Sequence, residues 1–181
     1  MKNNEILAIK EQWRTYYGEK IPIAYHLRES DTDFWLRIHS LPESKRYAQN
    51  KDEICEVLRR YNAVGDAILG EGTECVLFYP DYGAKFVKSI GGFSGEPFEV
   101  CEAPELTMYA GRTKWQEGKF DSILRKIADD RIRYVSFSCS KKREIFAPYD
   151  GGADLFLSSE ARRDELKIKF ADWLSKHPQG F

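Results

Sequence analysis

The chain has 181 residues, 42% of them hydrophobic, enough for one globular domain over 1–181 that buries its core without disulfide or metal staples. Its 28 basic residues nearly cancel 29 acidic ones, and a net charge of −1 excludes a general nucleic-acid binder, which needs a basic excess to displace counterions. No window approaches the ~18 uninterrupted apolar residues of a membrane span, and Met1-Lys2-Asn3-Asn4-Glu5 runs into an amphipathic pattern without the apolar core of a signal peptide.

In chain order, Ile6, Ile9, Trp13, Tyr16 and Tyr17 recur at spacings of three and four, which predicts a helix over 4–17 stopped by Gly18. Residues 19–32 contain Pro22 and no period, and read as a loop or short extended segment. Strict alternation follows: Phe34, Leu36 and Ile38 point inward, with Trp35, Arg37 and His39 on the other side of a half-buried strand that Leu41-Pro42 ends. Asn50, with Glu53 three residues on, marks a helix start. Ile54, Val57, Leu58, Tyr61, Gly65 and Ile68 form the core face of that helix, and Gly70 and Gly72 close it. Cys75–Tyr79 reads as a strand, residues 80–104 as a glycine- and proline-rich surface excursion, Leu106–Ala110 as a strand and 120–130 as a helix.

The last third predicts a meander of strands 132–139, 143–148 and 153–157, whose Asp150-Gly151-Gly152 turn is expected to supply positive-φ positions. Ser158 or Ser159 then caps a terminal helix with Leu166, Phe170, Trp173 and Leu174 on its core face. Consecutive strands with short turns give an α+β domain: a mostly antiparallel sheet with a C-terminal three-strand meander and helices packed on it.

Two segments carry the candidate chemistry. Arg37, His39, Lys45 and Arg46 form a basic cluster suited to a phosphate or carboxylate, with Arg37 supplying a bidentate fork and His39 a candidate general base. Asp150 and Asp154 flank a tight turn. Two carboxylates so placed can share a divalent cation, although Asp-Gly-Gly is turn chemistry first. Asp154 points away from Ala153 and Leu155 and is expected to pair with Arg37 or Arg143. No third oxygen ligand accompanies the two aspartates, so no metal and no cofactor is expected.

A third candidate is a surface: Glu96, Glu99, Glu102 and Glu105 recur every three residues near Tyr82 and Phe93. An acidic patch edged by aromatics suits a basic protein partner, because aromatics anchor and charges steer. Arg131 and Arg133, with Lys141-Lys142-Arg143, read as a solvated hairpin edge. The four cysteines, Cys55, Cys75, Cys101 and Cys139, are widely separated and read as buried free thiols of a reducing, cytoplasmic protein.

The segments Arg37-Ile38-His39-Ser40-Leu41-Pro42-Glu43-Ser44-Lys45-Arg46-Tyr47 and Pro148-Tyr149-Asp150-Gly151-Gly152-Ala153-Asp154, followed by Trp173-Leu174-Ser175-Lys176-His177-Pro178, resemble an uncharacterised family of small bacterial cytoplasmic proteins. The likeness spans most of the chain and lapses between about 80 and 115. By analogy with small cytoplasmic α+β immunity proteins, the leading expectation is a non-enzymatic protein-binding module that neutralises a toxin. The alternative is a phosphoryl-handling enzyme, a phosphodiesterase or nuclease. In it Arg37, Lys45 and Arg46 bind phosphate, His39 acts as base, and Asp150 and Asp154 hold a metal. A third reading is a small-ligand sensor that uses the same basic cluster without turnover.

Overall fold

A computed structural model describes residues 2–30, 34–83, 97–102 and 105–174. The elements run α1 (Lys2–Tyr17), α2 (Ala24–Ser30), β1 (Trp35–His39), α3 (Lys51–Leu69), β2 (Glu74–Pro80), β3 (Glu99–Glu102), β4 (Glu105–Lys114), α4 (Asp121–Ala128), β5 (Ser136–Cys139), β6 (Glu144–Tyr149), β7 (Gly152–Phe156) and α5 (Glu160–Lys169). Among the described residues, seven strands join one antiparallel sheet in the order β1-β7-β6-β5-β2-β4-β3. The α+β expectation and the consecutive β5–β6–β7 meander are both present. No helix among the described residues is long and apolar enough to cross a membrane.

Helices cover both faces of the sheet, so its central strands are buried on both sides. On one face Tyr61, Val64 and Ile68 of α3 pack with Leu77, Trp115, Phe137, Phe146 and Leu155. On the other, Ile6, Ile9 and Trp13 of α1, Leu27 of α2 and Ile23 just before it pack on Val76, Phe78, Met108 and Ile145. Asn50 caps α3 by accepting the Glu53 N–H at 2.9 Å, while the Glu53 carboxylate reaches back to the Gln49 N–H at 2.7 Å. Ser159 caps α5 through the Arg162 N–H. Cys75 and Cys139 are buried free thiols, whereas Cys55 is exposed, against expectation, on the outer face of α3. Burial pushes the Cys75 thiol up to about 12.

Four local expectations are corrected. The loop over 19–32 contains α2, a helix of seven residues with one fully buried apolar residue, Leu27, four positions after the buried Ile23 that precedes it, too short a pattern to show a period. The excursion over 80–104 includes β3, paired with β4 from Glu99↔Met108 to Glu102↔Glu105. The first meander strand starts at Ser136, because Asp130 and Tyr134 stand at φ 55° and 60° and bend 129–135 away from the sheet. The terminal helix ends at Lys169. Phe170 is buried, but Trp173 lies in a short 3₁₀ turn at the edge of the core, stacked on Phe170 and beneath the Arg59 and Arg60 guanidinium groups.

The β6–β7 turn is also built differently. Neither Gly151 nor Gly152 adopts positive φ. Gly152 is required for closeness instead: a Cβ there would stand 1.9 Å from the Ile38 carbonyl oxygen on β1. This contact seats β1, and with it Arg37, against the hairpin that carries Asp150 and Asp154.

Candidate functional site

A cleft of about 310 Å³ opens where α2, the β6–β7 hairpin and the 130–135 segment meet. Register brings the charged groups there. Arg37 on β1 pairs across the sheet with Asp154 on β7, and the two side chains form a two-pronged ion pair, Arg37 Nε to Oδ1 at 2.9 Å and Nη2 to Oδ2 at 3.0 Å. Trp35 Nε1 donates to the same carboxylate at 3.0 Å, and Arg28 of α2 lies 3.6 Å from it. The Arg37 guanidinium is stacked between the Trp35 and Tyr149 rings, 5.2 and 4.9 Å from their centroids.

Asp150 is held by the loop after β1. That loop turns through left-handed Glu43 and Ser44, at φ 56° and 57°, and delivers Arg46 and Tyr47. Arg46 donates through Nε at 2.6 Å and Nη2 at 3.0 Å, and the Tyr47 hydroxyl donates at 2.8 Å. Across the cleft Arg133 grips Asp130 through Nε at 2.7 Å and Nη2 at 2.6 Å. The Tyr82 hydroxyl fixes that segment by accepting the Arg133 N–H and donating to the Arg133 carbonyl. Tyr25, Tyr134 and Tyr149 add aromatic surface, over a wall that includes Ile132, Ala147 and Pro148. Burial pushes the Tyr149 phenol up to about 12 against the pull of Arg37, so it keeps its proton and can donate.

The cleft thus gathers Arg37, Arg46, Asp150 and Asp154, four of the residues singled out in the sequence. Lys45 lies outside it and pairs with Glu53 at 2.6 Å. His39 also lies outside, beside Ser40, Arg60 and Tyr61, and its Nε2 is buried without a hydrogen-bond partner. Burial and the positive charge of Arg37 hold its pKa below the ordinary 6.5. The two aspartates turn to different arginines rather than toward a shared cation, and among the described residues no cluster of three His, Cys, Asp or Glu could hold a metal ion.

Of the acidic surface, Glu99 and Glu102 lie on β3 and Glu105 begins β4, while Phe93 and Glu96 fall outside the described residues. Tyr82 serves the cleft rim. The sequence reading missed Arg28, Arg133, Tyr25 and Tyr134. The one signal for the rim was Asp129-Asp130, since aspartate tolerates the left-handed turn that aims Arg133.

The lowered His39 pKa has a defined consequence. The unfolded chain binds a proton there more readily than the folded one, so this group's stabilisation is complete above about pH 6.5 and is lost as pH falls through the lower folded value. Urea midpoints measured between pH 7.5 and 5 should therefore drop, and His39→Gln should flatten the drop. An unchanged slope in the variant would contradict the assignment.

Fold and cleft together define an α+β protein with an arginine-lined pocket. Residues 23–178 match the family model described as domain of unknown function (DUF3885), and the chain belongs to that family. No curated protein and no solved structure matches it.

Proposed function

We propose that this chain is a non-enzymatic binding protein that holds a small organic anion in the cleft. The observation that carries the reading is the convergence of Arg28, Arg37, Arg46 and Arg133 on one concavity, whose volume of about 310 Å³ sits at the lower end of the range for small-ligand sites. Asp154, Asp150 and Asp130 hold Arg37, Arg46 and Arg133 in fixed poses, so less side-chain freedom is lost on binding. None of the described residues lining the cleft is a histidine, and His39 stands outside, which favours binding over base-assisted phosphoester cleavage. The buried free thiols Cys75 and Cys139 support a reducing, cytoplasmic setting.

Thermal melts with AMP, citrate and benzoate test the reading. At least one should raise the midpoint by mass action. Ala24→Phe, which fills the cleft from α2 and leaves the arginines in place, should abolish the rise. A rise that survives Ala24→Phe would move the ligand elsewhere.

A second reading, a basic protein partner such as a toxin, is favoured by one observation. β3 ends the described sheet order, and this edge carries Glu99 and Glu102, with Glu105 opposite Glu102 on β4. Acidic groups at a strand edge steer a basic partner toward it.

A further inference from the structure

Resting on the reading of the cleft as an organic-anion site, we propose that its ligand is a phosphomonoester bearing a flat ring, in chemical class a nucleoside monophosphate. Arg46, from the loop after β1, and Arg133, from the 130–135 segment, both line the cleft, and each side chain is 63% exposed. Each spends the Nε–Nη2 edge of its guanidinium on an aspartate, Asp150 and Asp130 respectively. The Nη1 group of each makes no described hydrogen bond, which leaves the Nη1–Nη2 edge able to grip a second oxyanion. The two ion pairs lie close enough to feel one another: the charge of Arg46 acts on Asp130, and that of Asp150 on Arg133.

Two such edges, supplied to one cleft by two separate segments, call for an oxyanion with more than two oxygens. A phosphate monoester offers three terminal oxygens to a pair of forks, where a carboxylate offers two. Phosphate alone would leave the inner cleft empty. There the Tyr25 and Tyr134 rings stand 6.1 Å apart at 64°, beside Ile132 and Pro148, a surface suited to a flat ring. The rim is a built feature: Tyr134 is a bulky residue held at φ 60°, and the Tyr82 hydroxyl clamps both backbone groups of the preceding residue.

Calorimetric titration of the full chain with AMP, UMP, adenosine, inorganic phosphate and benzoate tests the proposal. AMP and UMP should bind at least about tenfold more tightly than adenosine or inorganic phosphate, the scale of a charge-assisted hydrogen-bond pair. Arg46→Lys and Arg133→Lys keep the charge and lose the fork. Each should weaken AMP about tenfold and leave adenosine unchanged. AMP no tighter than adenosine, or unaltered in both lysine variants, overturns the proposal. Benzoate bound in preference to AMP, in a manner that Ala24→Phe blocks, overturns the phosphate class while the anion-cleft reading stands. No heat with any probe overturns both.

Discussion

Asp154→Ala is expected to destabilise the protein by about 3–5 kcal/mol, the range for breaking a buried ion pair by removing one partner. The carboxylate is 4% exposed, and it accepts two bonds from Arg37 and one from the Trp35 indole, with Arg28 nearby. Its loss removes the carboxylate that balances a guanidinium itself only 15% exposed and set against two aromatic rings. A double-mutant cycle with Arg37→Met separates the pair from its surroundings, since removing both charges should cost less than the two single changes combined. Urea denaturation reads both quantities. A loss below about 1 kcal/mol for Asp154→Ala would place the pair among weak surface contacts and contradict its structural role.

Gly152→Ala is the second large effect, expected to cost about 3 kcal/mol or more as backbone overpacking. The added methyl would meet the Ile38 carbonyl oxygen at 1.9 Å and the His39 Cα at 3.0 Å, both backbone atoms of β1. Relief requires β1 to separate from β7, which breaks the Arg37↔Asp154 register along with the ladder. Gly151→Ala is the control. Its nearest neighbour is the Tyr149 ring at 3.0 Å, the end of a side chain that can shift, so a much smaller change is expected. Melting midpoints by circular dichroism compare the two, and equal, small shifts would show that the β1–β7 approach is not tight.

The difference between these two glycines also shows what sequence alone can reveal. Asp-Gly-Gly announces a turn, and the turn is there, but the demand on Gly152 comes from β1, more than a hundred residues upstream. Alternation was enough to place Arg37 and Asp154 on the face opposite their apolar neighbours and to suggest their pairing, because side-chain direction in a strand is local. The other half of the cleft depends on long-range packing. Arg28 arrives on a helix too short to show a period, and Arg133 on a segment whose direction is set by two left-handed residues and a tyrosine from beyond β2. Read locally, Arg133 was one charge in a solvated basic patch.

The central claim, that this cleft is the binding site, is tested most directly by the arginine Nε–H signals in a two-dimensional ¹⁵N NMR spectrum recorded during titration with AMP, citrate and benzoate. The Nε–H groups of Arg37, Arg46 and Arg133 all donate to aspartates. They should therefore give resolved signals before any ligand is added. The account predicts that at least one of the three anions moves these signals together with the backbone amides of Tyr25, Tyr134 and Tyr149, and that Glu99–Glu102 on the acidic edge stays still. Shifts confined to Glu99–Glu102, or no movement of the arginine signals with any of the three anions, would contradict it.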